Sequence, residues 1–346
     1  MKSFLINLLI VFVLSILPNY IIGVIRLKRD EPIPYVLNEK KSFKASSKGF
    51  SINKKPIYIR PRGDLSRLPL IKDVSVMRFV DNFGFSNIQI NDSPEILYVG
   101  DSFLNDQALN TSDGIQSKTN KLLNRNVAYS IGNAGRAGFR VYNQLRKSTF
   151  KKNPSLIIFE VVERHLYEVM INAPNELRSN ETFPNGYFYF DLFFGNNLQD
   201  FSFKKLFDSP SKTPRTPLGV ARTHNGNKVW FINNKTTLLS DDSLNTIVDS
   251  MLDVKSMLED QKIKIVFVIA PDKESIYPEL FGQSSLKALH AKMKARNLDF
   301  IDMLSLLENQ GENYYYAGDT HWNENSVRLL TEEVAKKYRH FFLSNN

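Results

Sequence analysis

The chain has 346 residues, and it contains no cysteine and five histidines. Without cysteine, disulfide bonds, thiolate catalysis and cysteine-ligated metals are excluded, and the histidines do not follow a metal-binding spacing such as His-Glu-x-x-His. We therefore expect a globular enzyme or binding protein without a metal or other cofactor. The net charge of +9 indicates an anionic partner such as a membrane surface, a cell-wall polymer or an acidic polysaccharide. Nucleic acid is not expected, because Lys and Arg are scattered and no recognition motif occurs.

The N-terminal segment from Phe4 to Ile25 is almost entirely apolar and long enough to span a bilayer. A cleavable signal peptide is the alternative, but its apolar region is usually shorter and ends in a small-residue cleavage site. Here the apolar run ends in basic residues at 26–29, without an Ala-x-Ala pattern. We predict an uncleaved membrane anchor within residues 1–29. Positive charges flank it on both sides, so charge alone does not determine its orientation.

Residues 30–90 are rich in proline and poorly periodic, which predicts a linker and irregular structure with short strands such as Pro56–Arg60. Residues 91–346 form the predicted catalytic domain, in which apolar runs alternate with helical stretches. The predicted strands lie at 95–99, 127–131, 156–161, 263–269 and 298–301, and the predicted helices at 103–124, 139–151, 241–260, 283–296 and 325–339. Strands alternating with helices predict an α/β fold with a parallel sheet and right-handed crossovers.

The stretch 167–240 interrupts this alternation, because it is rich in aromatic residues, asparagine and proline. We interpret it as an insertion between the third predicted strand and the helix that precedes the fourth. One interpretation is a small packed subdomain. The other is a lid or substrate wall, since loops on a rigid scaffold commonly carry binding.

Two short motifs, Gly100-Asp101-Ser102 and Asp319-Thr320-His321-Trp322, suggest chemistry. Ser102 follows an apolar strand and precedes a predicted helix, which places its hydroxyl at the carboxyl edge of the sheet and its amide at a helix N-terminus. A serine hydroxyl needs an oriented base to become a nucleophile, and His321 with Asp319 can supply one. Taken singly, the first motif can be a turn and the second a helix N-cap. Because both occur in the strand and helix context that such motifs require, we predict a serine acyl-transfer site.

These segments resemble the SGNH (GDSL-like) hydrolase superfamily and, within it, the alginate-type polysaccharide O-acetyltransferases. Gly100-Asp101-Ser102 resembles the nucleophile block, Asn133–Gly138 the glycine block, Asp319–Asn323 the Asp-x-His-Trp block, and Ala270–Pro278 the Pro-x-Lys segment. The order of these blocks is the ordinary SGNH order, whereas some alginate-type members place the Asp-His segment before the serine. The resemblance implies a three-layer α/β/α, flavodoxin-like fold around a parallel sheet.

The resemblance also implies roles for individual residues. Ser102, His321 and Asp319 would form a catalytic triad, and the glycine block, with Asn133 and the amide of Gly135, would contribute to the oxyanion hole or contact the substrate.

Three further residues carry open alternatives. The third SGNH block normally reads Gly-x-Asn-Asp, but here the strand ends in Glu160-Val161-Val162-Glu163-Arg164. Arg164 either replaces the asparagine as an oxyanion or substrate donor or forms an ion pair with Glu160 or Glu163. Lys273 either contacts an anionic substrate or is a solvated lysine. Trp322 either packs behind His321 or contacts the substrate.

We therefore predict a serine-dependent O-acetyltransferase that modifies an envelope or exported polysaccharide through an acetyl-Ser102 intermediate. The alternatives are a membrane-anchored carbohydrate acetylesterase and a non-catalytic polysaccharide-binding protein. The predicted partners are the polysaccharide acceptor, the membrane, and a separate membrane-bound acyltransferase that delivers acetyl groups. The catalytic domain is predicted to lie in the periplasm or otherwise outside the cytoplasm.

Overall fold

The computed structural model describes residues 57–59, 65, 76–79, 81, 85–89, 91–105, 109–132, 138–179, 219–224, 226–232, 238–308 and 314–343. All of them belong to one compact unit, made of residues 45–180 and 216–346. The predicted anchor and most of the predicted insertion lie outside the described residues. Within the described ranges, no helix combines the length and the apolar character needed to cross a membrane.

The described elements follow one another in an α/β pattern. The strands are β1 (Ile57–Ile59), β2 (Val76–Arg78), β3 (Ile96–Val99), β4 (Ala128–Ile131), β5 (Leu156–Val162), β6 (Val220–His224), β7 (Asn227–Phe231), β8 (Lys264–Ala270) and β9 (Phe300–Ile301). The α-helices are α1 (Ile115–Leu123), α2 (Gly138–Ser148), α3 (Leu166–Arg178), α4 (Asp241–Glu259), α5 (Pro278–Phe281), α6 (Leu286–Ala295), α7 (Met303–Leu307) and α8 (Glu324–Leu343). Short 3-10 helices lie at Ser102–Asn105, Thr111–Asp113, Glu163–His165 and Lys273–Ile276.

The central sheet has the strand order β4-β3-β5-β8-β9, and its neighbouring strands are all parallel. Counted along the chain, this is the order 2-1-3-4-5 of doubly wound sheets of the flavodoxin type. The inner strands β5 and β8 are almost continuously apolar and buried, as expected for parallel strands covered on both faces. The predicted α/β fold with a parallel sheet is confirmed.

Amphipathic helices cover this sheet, and α4 illustrates why they form. Ser240 caps the helix, since its side chain accepts a hydrogen bond from the amide of Ser243. Apolar residues recur at three- and four-residue spacing and are buried, namely Leu244, Ile247, Val248, Met251, Val254 and Leu258. Each such side chain contributes about 1.5–3 kcal/mol when fully buried. Helix α4 packs against α3 and α6, and α1 packs against α8.

The single helix predicted over 103–124 is wrong. The chain after β3 forms two 3-10 turns instead, and α1 begins only at Ile115. The side chain of Asn110 accepts a hydrogen bond from the amide of Met77, and that of Thr111 accepts one from the amide of Phe79. These bonds tie the segment to β2 and its end, so the backbone cannot continue as one helix through Gly114.

The predicted insertion begins too early. Residues 166–178 form α3, which packs against α4 and belongs to the connection between β5 and β8. Its buried face comprises Leu166, Val169, Met170, Ala173, Pro174 and Leu177. Pro174 lies inside this helix, and its presence disguises the helical pattern in the sequence. Farther along, β6 and β7 form an antiparallel hairpin. The short strand predicted at Pro56–Arg60 is confirmed as β1, which pairs with β2.

Candidate active site

The carboxyl ends of the central strands carry the candidate functional residues. The segment 100–102 follows β3, the segment 163–165 follows β5, and the segment 271–273 follows β8. In an open parallel sheet, ligands bind beyond this edge because the loops from neighbouring strands meet there. The loop 314–322 reaches the same edge, since the hydroxyl of Tyr315 donates to the carbonyl of Pro271 at 2.6 Å.

Ser102, His321 and Asp319 form a continuous chain of hydrogen bonds. The Oγ of Ser102 lies 2.7 Å from Nε2 of His321, and Nδ1 of His321 lies 2.5 Å from Oδ1 of Asp319. The carboxylate of Asp319 accepts from Nδ1–H, which leaves Nε2 as the acceptor for the serine hydroxyl. Asp319 is fully buried and His321 nearly so, whereas Ser102 is partly exposed. This is the geometry of a serine nucleophile beside an oriented base.

Asp101 holds the turn that presents Ser102. Its Oδ1 accepts from the amide of Phe103 at 2.9 Å, and its Oδ2 accepts from the amide of Val162 at 3.3 Å. The amide of Asp101 in turn donates to Oε2 of Glu160 at 3.0 Å. Within the described part of the chain, the amide of Ser102 donates to no acceptor. That amide is therefore available to a developing oxyanion on an acyl group bound to the serine.

Two glycines allow this turn to lie against the sheet. A Cβ at Gly100 would come within 2.6 Å of Oε2 of Glu160, and a Cβ at Gly132 would come within 2.7 Å of the backbone of Leu104. Side chains do not fit at such distances without a shift of their neighbours. Glycine at both positions lets the segment after Ser102 pack closely on the ends of β4 and β5.

Trp322 packs against Phe103 at the candidate site. It is buried, its indole Nε1–H donates to the carbonyl of Phe103 at 2.7 Å, and its ring meets that of Phe103 edge-on. The ring of Phe103 also lies 5.0 Å from that of His321. Trp322 thus packs against Phe103, whose ring adjoins His321, and a contact of Trp322 with the substrate stays a prediction.

Lys273 fits neither of its predicted roles. The residue is only 3% exposed, which excludes a solvated lysine. Its Nζ donates to the carbonyl oxygens of Tyr316, Ala317 and Asp319 at 2.5, 3.1 and 2.9 Å. These bonds use all three donors of an ammonium group, so the side chain binds the loop that carries Asp319 and has no donor left for a substrate.

Arg164 lies beside the nucleophile and forms an ion pair with Asp272, in which Nη1 and Oδ1 are 2.5 Å apart. The predicted ion-pair partners were Glu160 and Glu163; the carboxylate that the structure pairs with it comes from the next strand, β8. Burial raises the pKa of Asp272 to about 6, although the guanidinium opposes that shift. The guanidinium also lies over the ring of Phe103, and the side chain stays 24% exposed. The side chain of Arg164 therefore remains partly accessible to solvent.

Two buried carboxyl groups lie beneath the site. Burial raises the pKa of Glu160 well above its usual range, and the neighbouring carboxylate of Asp101 reinforces the shift. Burial likewise raises the pKa of Glu163 to about 8, with Asp272 as the next cause. Both shifts favour the protonated form of these carboxyl groups in the folded protein. The burial of these two glutamates was not predictable from the sequence, because a glutamate in or next to a strand is expected to be exposed unless the strand is known to be central.

Asn133 and Gly135 lie outside the described residues, so their predicted roles in the oxyanion hole stay predictions. Gly138, the last residue of the glycine block, begins α2 and is buried. In the part of the chain that the structure describes, no three histidine or carboxylate side chains are grouped so that they could hold a metal ion.

Residues 225–344 match the family model of the SGNH hydrolase-like domain of the acetyltransferase AlgX. The resemblance to the SGNH hydrolase-like acetyltransferases is confirmed. The matched part of the chain includes Lys273, Asp319 and His321, whereas Ser102 lies upstream of it. No curated protein shows significant similarity to the sequence.

Three solved structures are similar to this chain. An acetyl xylan esterase (Est2A) from the rumen bacterium Butyrivibrio proteoclasticus is 11% identical, and the match covers 78% of this chain and 69% of that chain with a TM-score of 0.34. A protein described as a lipolytic protein of the G-D-S-L family from Desulfitobacterium hafniense is 11% identical, with 70% of this chain and 97% of that chain covered and a TM-score of 0.35. A protein described as an acylhydrolase from Bacteroides fragilis is 12% identical, with 72% of this chain and 90% of that chain covered and a TM-score of 0.35. At these TM-scores the likenesses carry no functional argument.

Proposed function

We propose that this protein is a serine-dependent O-acetyltransferase that acetylates a polysaccharide. The observation that carries the proposal is the hydrogen-bond chain from Ser102 through His321 to Asp319. Transfer and hydrolysis share an acyl-enzyme and differ only in the nucleophile that attacks it, so the triad alone does not separate them. The match to an acetyltransferase domain favours transfer.

In the first half-reaction, Oγ of Ser102 attacks the carbonyl carbon of an acetyl donor while Nε2 of His321 takes the hydroxyl proton. The carbonyl electrons move onto oxygen, and the amide of Ser102 donates to that oxyanion. When the intermediate collapses, the bond to the donor's leaving oxygen breaks and His321 returns the proton to that oxygen. The product is an acetyl ester on Ser102. Asp319 stays ionised throughout and stabilises the imidazolium.

In the second half-reaction, a sugar hydroxyl takes the place of the leaving group. His321 removes its proton, its oxygen attacks the acetyl carbon, and the bond to Oγ of Ser102 breaks as the proton passes to that oxygen. We assign to Arg164 the binding of an anionic or hydroxyl group of the acceptor, since its guanidinium lies over the ring of Phe103, the residue next to Ser102, and its side chain is partly exposed. An acidic polysaccharide is the acceptor class that the basic chain favours.

We also propose that the catalytic domain is a three-layer α/β/α domain and that residues 4–25 anchor it in a membrane. The domain then lies outside the cytoplasm, where a membrane-bound acyltransferase supplies its acetyl groups. The apolar length of the N-terminal segment supports the anchor. We expect the full chain to stay in the membrane after alkaline extraction and Leu9→Arg with Val13→Arg to release it. Protease added to intact spheroplasts should digest the anchored domain. A domain protected from that protease would overturn its placement.

The acyl-enzyme tests the proposed chemistry directly. The full chain is mixed with a chromogenic acetyl ester, quenched in acid and analysed by intact mass and peptide mapping. We expect the mass of one acetyl group on Ser102, lost in Ser102→Ala and kept in Ser250→Ala, a serine on α4 away from the sheet edge. Adding acidic oligosaccharides should raise turnover and yield acetylated sugar. Equal turnover in the Ser102→Ala protein would contradict the proposal.

A further inference from the structure

Lys273 forms three hydrogen bonds with the loop that carries Asp319, and the proposed reaction does not use them. It lies in the 3-10 turn Lys273–Ile276 after β8, and its ammonium donates to three carbonyl oxygens between residues 316 and 319. Because a neutral amine has only two donors, three acceptors around one Nζ require the charged form. A desolvated cation with all of its donors engaged is a rigid contact, and moving it would leave charge and carbonyls without partners.

Three backbone hydrogen bonds also hold the loop around these carbonyls. The amide of Asp319 donates to the carbonyl of Tyr316 at 3.2 Å, and the amide of Tyr316 donates to the carbonyl of His321 at 3.3 Å. The amide of Trp230 in β7 adds a bond of 2.8 Å to the carbonyl of Ala317. The ammonium of Lys273 thus joins three points of a turn whose internal bonds are long, and one of those points is the peptide of Asp319 itself.

We propose that Lys273 is a positioning residue, whose ammonium fixes the turn 316–319 so that the Asp319 carboxylate meets Nδ1 of His321. Lys273 touches neither Ser102 nor the reacting acyl group and acts only through Asp319. The kinetic part of this inference rests on the proposed acyl transfer, whereas the geometric part does not.

The first variant is Lys273→Met, which keeps an apolar stem of similar length and removes the three donors. We expect kcat to fall about a hundredfold, the cost of misplacing a catalytic group by about 1 Å, while KM for a small acetyl ester stays within about twofold. Rates are expressed per active site, counted from the acyl-enzyme burst, so that a loss of folded protein does not imitate the effect. The matched control is Lys337→Met, because Lys337 also donates to a backbone carbonyl, that of Phe300, but is exposed on α8.

A rescue experiment separates the ammonium from the rest of the side chain. Since the chain has no cysteine, a Lys273→Cys protein carries a single thiol. In denaturant its thiolate displaces bromide from bromoethylamine, which forms a carbon–sulfur bond and restores an ammonium at the length of lysine. The same protein alkylated with iodoacetamide is the neutral control, and wild type taken through the same refolding is the reference. We expect only the aminoethylated protein to regain most of the kcat.

Proton NMR tests the inference without any reliance on acyl transfer. The Nδ1–H of His321, bonded to Asp319, should give a far-downfield signal in the wild type, identified by its loss in Asp319→Asn. We expect this signal to vanish or broaden in Lys273→Met and to persist in Lys337→Met. A folded Lys273→Met protein with the signal and kcat of the wild type would overturn the inference. So would equal kcat in the two alkylated proteins. A wild type that has the signal but transfers no acyl group would refute the proposed function and leave the role of Lys273 standing.

Discussion

Replacement of Ser102 or His321 by alanine is expected to lower the rate of acyl transfer by about 10⁶-fold, the loss typical when a triad member is removed. Ser102 is the protein nucleophile of the proposed scheme, and His321 is the base that contacts it at 2.7 Å. Asp319→Asn should cost less, about 10⁴-fold, because the ring of His321 keeps a neighbour at Nδ1 but is stabilised in the wrong tautomer. The residual rate should come from substrate binding and the oxyanion donors.

Single-turnover acylation with a chromogenic ester measures these losses, and circular dichroism checks that each variant is folded. Because the three residues act as a unit, the double variant Ser102→Ala with His321→Ala should be no slower than either single variant. Ser250→Ala, at a half-buried position on α4, serves as the control for the substitution itself. Multiplicative losses in the double variant, or a fully active His321→Ala protein, would be incompatible with the proposed mechanism.

Much of the fold was predictable, because buried parallel strands read as continuous apolar runs. Strands β3, β5 and β8 begin and end within about one residue of their predicted bounds for this reason. The segment after Ser102 was not predictable, since Asn110 and Thr111 bond the backbone of β2, more than thirty residues upstream. The local pattern of apolar residues does not reveal contacts between segments that are distant in sequence. Helix α3 was missed because Pro174 lies inside it.

The part of the site that lies in short motifs was predictable, because the residue types in those motifs indicate their chemical roles. The motifs at 100–102 and 319–322 named the three residues that the structure brings into one hydrogen-bond chain. The environment of Lys273 and the ion-pair partner of Arg164 were not predictable, because their partners come from loops that only the folded topology brings near. A sequence shows that a lysine is present, but whether it faces solvent or three carbonyls depends on the packing of the whole sheet edge.

Glu163 should make the protein less stable as the pH rises from 5 to 8. The carboxyl group is buried, and its Oε2 accepts from the amide of Asp272 and the hydroxyl of Ser275. Burial, with Asp272 as the next cause, raises the pKa of Glu163 to about 8, whereas an unfolded glutamate has a pKa of about 4.3. Between these values the folded chain holds a proton that the unfolded chain has released, so the free energy of unfolding falls as pH rises. At about 1.4 kcal/mol per pH unit, this one group accounts for up to about 4 kcal/mol between pH 5 and 8.

Glu163→Gln should remove this dependence, because the amide oxygen can accept the same two hydrogen bonds and the side chain never ionises. We expect the variant to match the wild type near pH 5 and to exceed it by about 2–4 kcal/mol above pH 8, where the wild-type carboxylate is buried as an anion. Denaturant unfolding at both pH values measures the difference, with Glu332→Gln, an exposed carboxyl on α8, as the control. The same stability difference between Glu163→Gln and wild type at pH 5 and pH 8.5 would mean that Glu163 is already ionised in the folded protein at pH 5. The Glu163 carboxyl would then carry a negative charge at neutral pH, contrary to the raised pKa that its burial produces.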